Sequence, residues 1–291
     1  MGRSIGILII GSLYWDPERQ PWRDERLLMD QGVDVGAPIR HGKKAETRDN
    51  TYTMVFSRGC PPGQARVVRC RNEVRATVDL IAEAEYLWAA ERKAPRNGAI
   101  SAPWGCVALL GNPERDASVG VLEGWSARVP SERRYPSIAQ AGDEGELVTN
   151  GGRLQVPWPA SVSDGRPVGL DLLLATANQP TLTGTPAAYP APAEIAAAWR
   201  DAPNCRVEYF RTTCGPAFAH SKMRRSRRCW RAEPTNPLLR PATSGCSQYK
   251  DKDCKDKDVR RIELLLSAFS AEIILDPAEV RPDNVRRRCG E

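Results

Sequence analysis

At Phe210 the chain changes character, and that break limits how much of it can share one fold. Residues 211–291 hold 18 Lys and Arg against 11 Asp and Glu, whereas residues 1–210 hold 24 against 25, so the net charge of +6 resides past the break. Five of the nine cysteines (Cys214, Cys229, Cys246, Cys254, Cys289) also lie there. They accompany runs such as Lys222-Met223-Arg224-Arg225-Ser226-Arg227-Arg228, which follow neither helical nor strand periodicity. The first 210 residues read as an enzyme-sized folded unit, with 1–110 as its core and 111–210 continuing the same globule. Residues 211–291 read as a basic, cysteine-rich tail.

Three accounts of that tail are open. A basic block can be a nucleic-acid arm, because clustered Lys and Arg displace counterions from phosphates. It can be a solvated, disordered segment with no dedicated partner. It can also be a shifted reading frame. With one set of synonymous codons read one base earlier, residues 211–230 become NNVRPGIRTFKDEEIEALL, a turn followed by an acidic start and apolar residues at helical spacing. Runs of Arg and Cys are what a G+C-rich, hence bacterial, gene yields out of frame, and this reading is preferred over a nucleic-acid arm.

A chain of 291 residues with 41% hydrophobic content can bury a substantial core, and its 24 Pro and 23 Gly favour many short elements over long helices. The apolar stretch at residues 5–10 is too short for a signal peptide and lacks a small-residue cleavage site, and no segment approaches the length of a membrane span. Cys60, Cys70, Cys106 and Cys205 are scattered without CxxC spacing, which suits reduced thiols of a cytoplasmic protein and argues against a metal site. Only His41 and His220 are present, so neither a His-paired nucleophile nor a His-rich metal centre is expected.

Residues 5–10 form a continuous β-branched run ended by Gly11-Ser12 and predict a buried central strand. A loop and short helix follow over 15–31, with strands at 37–42, 51–57 and 64–70. Leu80, Ile81, Ala84, Leu87 and Trp88 recur at spacings of three and four, predicting a helix over 79–92. Beyond it come a strand at 104–110, a helix at 119–129 and a hairpin of 146–148 with 154–156 across Asn150-Gly151. A strand at 170–175 and a helix at 193–200, started by Pro192, complete the pass. The pattern is α+β, with a mixed β-sheet that could be barrel-like and helices flanking it.

The most suggestive local signal is the turn Ile10-Gly11-Ser12-Leu13-Tyr14 at the exit of the first strand. Gly allows a tight turn, and successive N–H groups there can converge on an anion. A dinucleotide-binding loop would need Gly-x-Gly-x-x-Gly, and the second and third glycines are absent. A glycine turn without a ligand also fits.

Gly11-Ser12-Leu13 after an apolar strand resembles the Tyr-Gly-Ser-Leu/Asn signature of the γ-glutamylcyclotransferase-like proteins, with Ile10 where the signature has an aromatic residue. The resemblance covers residues 5–110 and implies a small mixed β-barrel with flanking helices. It implies that the turn, Gly11, Ser12 and Leu13, holds the γ-glutamyl part of a substrate. It further implies that a Glu on a later helix relays a proton as the α-amine attacks the γ-carbonyl, releasing 5-oxoproline without metal or cofactor. The helix over 79–92 carries Glu83, Glu85 and Glu91; the family's Leu-Asp-x-x-Glu-Gly pattern around the acid is missing.

A proton-relaying carboxylate needs partial burial and must face the turn. Glu83, near Leu80 and Leu87, is the first candidate and Glu85 the second, with Glu123 of Glu123-Gly124 behind them; each could equally be a solvated helix carboxylate. Arg40, His41, Arg48 and Asn50 cluster at a strand end, and Arg40 is the candidate for positioning a substrate carboxylate. Asn178 and Thr181 could line a site, although a polar turn bonded to its own backbone is the simpler reading. The expected partner is a small anionic or γ-glutamyl-like molecule. The rival expectation is a non-catalytic protein that binds such a metabolite in the same turn.

Overall fold

The computed structural model describes residues 2–115, 119–132, 138–141 and 145–202. Cys205 and the whole basic segment past Phe210 lie outside them. The strands are β1 (Ile5–Ile9), β2 (Val33–Ala45), β3 (Thr51–Phe56), β4 (Pro62–Arg69), β5 (Ser101–Ala102), β6 (Gly105–Gly111) and β7 (Leu172–Asn178). The helices are α1 (Gln20–Arg26), α2 (Thr77–Arg92), α3 (Val119–Glu132) and α4 (Pro192–Arg200). Together the strands form one sheet in the order β3-β2-β4-β1-β7-β6-β5, antiparallel throughout except where β1 lies parallel to β7.

Side chains alternate across the pleat and so feed two cores. On β1, Ile5, Ile7 and Ile9 enter the first, with Val107 and Leu109 of β6 and Leu172 and Leu174 of β7. Leu8, Cys106, Ala108, Leu173 and Ala175 enter the second. Leu80, Ala84, Leu87 and Trp88 of α2 and Trp125 of α3 cover the first face. On the second face Ile138, Leu147, Leu154, Val156, Val168 and Leu170 lie in irregular chain. Burial on both sides explains why β1, β6 and β7 read as unbroken apolar runs.

The ends of α2 are fixed by its own sequence. Asp79 reaches back to accept the N–H groups of Arg75 and Ala76 at 2.9 Å each, and Lys93 closes the helix in the left-handed region with φ 52°.

The α+β class and the mixed sheet with flanking helices are as the sequence predicts, but the sheet is open, so the barrel-like alternative is corrected. The reason lies in β2. Residues 33–38 pair with β4 and residues 39–45 with β3, and the register shifts between His41 and Lys43. That bulge turns the second half of β2 over the end of β7, where Thr181 N donates to Gly42 O at 2.7 Å and Lys44 N donates to Thr181 Oγ1 at 3.0 Å. Two such bonds join β2 to the segment after β7 without a ladder that would close the ring. Because β7 sits between β1 and β6, residues past 110 complete the sheet that the first 110 begin.

Candidate functional site

Beyond Ile9 the chain folds into a turn held by its own backbone. Tyr14 N donates to Gly11 O at 3.2 Å, and the Ser12 carbonyl accepts from both Trp15 N (3.2 Å) and Asp16 N (2.9 Å). The N–H groups of Ser12 and Leu13 have no acceptor among the described residues. Gly11 borders open space: a Cβ there would meet no atom within 4 Å. Two consecutive N–H groups that are unbonded among the described residues, beside a glycine with open space over its Cα, suit an anion.

Buried charge pins this turn from beneath. Arg23, on α1, donates through Nη1 to the carbonyls of Leu13 and Asp16, both at 2.9 Å, and burial lowers its guanidinium below the usual arginine range. The buried Asp16 caps the next turn by accepting Glu18 N at 3.0 Å and is ion-paired to Arg19 and, at 3.2 Å, to Lys93 Nζ. Burial alone would raise its carboxyl; Arg19, the Glu18 N–H and Lys93 outweigh it and lower it. Arg19 also holds the C-terminal end of α2, donating to Ala90 O at 3.2 Å and Glu91 O at 3.3 Å. The last turn of α2 is thereby fastened to the residues that follow the β1 exit.

From the other side comes the end of β2. Arg48, in the single turn Glu46–Arg48 after that strand, donates from Nη2 to Ser12 Oγ at 2.6 Å, with its guanidinium 5.9 Å from the Trp15 ring centroid. Lys43 places Nζ 4.2 Å from the centroid of Trp104, which stacks on the buried Trp88 at 4.6 Å and 23°. Burial pulls the Lys43 amine below its ordinary range, and Glu91 opposes this in part. Glu91, half-buried in the last turn of α2, thus feels Lys43 electrostatically.

The predicted residues separate. Gly11, Ser12 and Leu13 form the turn, and Arg48 joins it. Arg40 does not: its guanidinium lies 4.3 Å from the Tyr189 ring centroid. His41 is turned toward the carbonyl of Tyr52 (Nδ1 to O, 2.9 Å) and the edge of Trp199, and burial holds its imidazole below the usual range. Glu83 is buried in an ion pair with Arg26 that includes a second bond from Nε at 3.3 Å. It lies beside Cys70, whose N–H donates to Ile5 O, and so near the start of β1 instead of its exit. Glu85 is paired with Arg96 at 2.8 Å, and Glu123 is exposed.

Lys43 and Trp104 were not singled out by the sequence, and Glu91 was only one of three glutamates on its helix. The signal that could have favoured it is its place in the final turn of α2, the end that must approach the β1 exit. In the segment after β7, Thr181 bonds to β2 and Gln179 N donates to Trp104 O at 2.9 Å, so these bonds reach other parts of the chain and not the turn's own backbone. Asn178 Oδ1 and Trp88 Nε1 are buried without a partner among the described residues. Those residues contain no group of three or more His, Cys, Asp or Glu able to hold a metal ion, and no helix long and apolar enough to cross a membrane. Cys70 and Cys106 are free thiols, and burial pushes Cys106 up to about 12. No known protein family, curated protein or solved structure matches this chain.

Proposed function

We propose that the chain is a small-molecule enzyme that processes a γ-glutamyl-like amine or amide by intramolecular acyl transfer, with Glu91 as its proton relay. The observation that carries this reading is the pair of N–H groups at Ser12 and Leu13, unbonded among the described residues, open to space at Gly11 and flanked by Arg48. Backbone donors and a guanidinium suit a carboxylate. Glu91 supports the catalytic half. It ends Leu87-Trp88-Ala89-Ala90-Glu91, which keeps the Leu and the Glu of the family's acid pattern at their spacing. Glu83 and Glu85 are each engaged by an arginine, which leaves Glu91 as the stronger candidate.

In the step envisaged, the substrate α-amine attacks the γ-carbonyl carbon and forms the new C–N bond. The Glu91 carboxylate accepts the proton released from that nitrogen. It returns the proton to the leaving nitrogen as the old amide bond breaks, giving 5-oxoproline and a free amine.

The test is 5-oxoproline release from γ-glutamyl dipeptides by the full chain. Glu91→Gln is expected to lower turnover by about 10²–10⁴-fold while leaving the thermal shift caused by substrate in place. Arg48→Ala is expected to weaken that thermal shift. Substrate-dependent stabilisation of the wild type with no product would remove the enzyme and leave a metabolite-binding protein.

A further inference from the structure

We infer that Lys43, held over Trp104, is a second anion-binding group of this site, so that the preferred ligands carry two acidic groups. This rests on the reading of the Ser12–Leu13 turn as the first anion site. Lys43 is unlike the other cations around the turn among the described residues: Arg66, over the Tyr14 ring, is paired with Asp34 at 3.1 Å. Arg19 and Lys93 are bound to Asp16, Arg23 is spent on the carbonyls of Leu13 and Asp16, and Arg48 is bonded to Ser12. The Lys43 ammonium has no carboxylate within the 4.0 Å of an ion pair among the described residues. Its neighbours are the face of Trp104 and, from beyond that distance, Glu91.

A half-buried ammonium offered only a ring face has lost water without gaining an acceptor, and an anion brought by a ligand would supply one. The surroundings hold the amine in place for that role. Lys43 pairs with Thr53 just past the register shift in β2, and Lys44 N and Gly42 O on either side are both bonded to Thr181. Trp104 is fixed by its stack on Trp88 and by Gln179 N at its carbonyl. Lys43 and Arg48 leave the same strand end, one toward Trp104 and the other toward Ser12. The ligand class that meets both is a small, flexible α,ω-diacid.

The test is binding of straight-chain diacids, malonate through pimelate, against butyrate as the monoacid, measured by calorimetry on the full chain. The expected result is butyrate binding together with at least tenfold tighter binding of one diacid in the series. Lys43→Met should erase that preference, and Lys43→Arg should retain it. A merely structural lysine would not move the ratio of diacid to monoacid affinity. Equal affinity for butyrate and every diacid in the wild type, or a preference that survives Lys43→Met, overturns the assignment of Lys43 and leaves the turn reading intact. No binding of butyrate or of any diacid overturns both.

Discussion

Gly105 opposes Asn178 across the β6–β7 ladder, and a Cβ there would fall 2.6 Å from Asn178 Oδ1 and 2.8 Å from the Ala177 carbonyl. Backbone cannot yield as a flexible side chain can, so Gly105→Ala should cost about 1–3 kcal/mol and lower the urea midpoint at unchanged slope. Gly11→Ala is the matched control, since nothing lies within 4 Å of its would-be Cβ; its stability should stay within about 0.5 kcal/mol of wild type. An equal loss in both variants would show that the contact at Gly105 is not the cause. At this scale the sequence reveals residue types and faces but not partners. Helical periodicity shows that Glu83 turns inward, yet what it meets is Arg26, 57 residues away on α1. For the same reason Lys43 was invisible: its ring partner Trp104 is brought to it only by the assembled sheet.

Among the elements, the parallel pair β1–β7 is locked at its start by Asp171. Its carboxylate accepts Ser4 N and Ser4 Oγ, both at 2.7 Å, and pairs with Arg115 Nη1 at 2.8 Å. Burial would raise the Asp171 carboxyl, but the Ser4 bonds and Arg115 outweigh it and hold it below the ordinary range. Folding therefore favours the ionised form. The resulting stability is complete above the unfolded value of about 4 and disappears as pH falls through the lowered native one. Asp171→Asn should lower the urea midpoint at pH 7 and flatten its decline below pH ~4; a parallel decline in both proteins would rule Asp171 out as a source. Elements with a clean period were legible: β1, β3, β4, β6, α2 and α4 fall within a few residues of expectation. The strand β2 was seen only over 37–42 because its bulge and Pro38 break the alternation, and it extends over Val33–Ala45. The hairpin expected around Asn150-Gly151 reduces to a single bridge, Val148↔Leu154, because Leu109 of β6 bonds to Gly152 and Leu154 instead. The two-residue β5 carries no periodicity to read.

At the scale of the whole molecule, two cores share one sheet, so neither can melt while the other stays packed. Leu109→Ala on the helix-covered face and Leu173→Ala on the opposite face should each cost about 2–5 kcal/mol. Each should displace one and the same unfolding transition by tryptophan fluorescence and by far-ultraviolet circular dichroism. Two separated midpoints in either variant would sink the idea of a single cooperative unit. The central position of β1 has a further consequence for how the protein is made. Its contacts with β4 become available early, but Ser4 and Asp171 are 167 residues apart, a gap of roughly 8–30 s at ordinary ribosome speeds. Throughout that interval one edge of a strand whose five residues are all buried in the finished fold stands open to any other extended chain. The step at which this protein is most exposed to misassembly is therefore the wait for β7, and a chaperone that shields nascent apolar strands would act on it there.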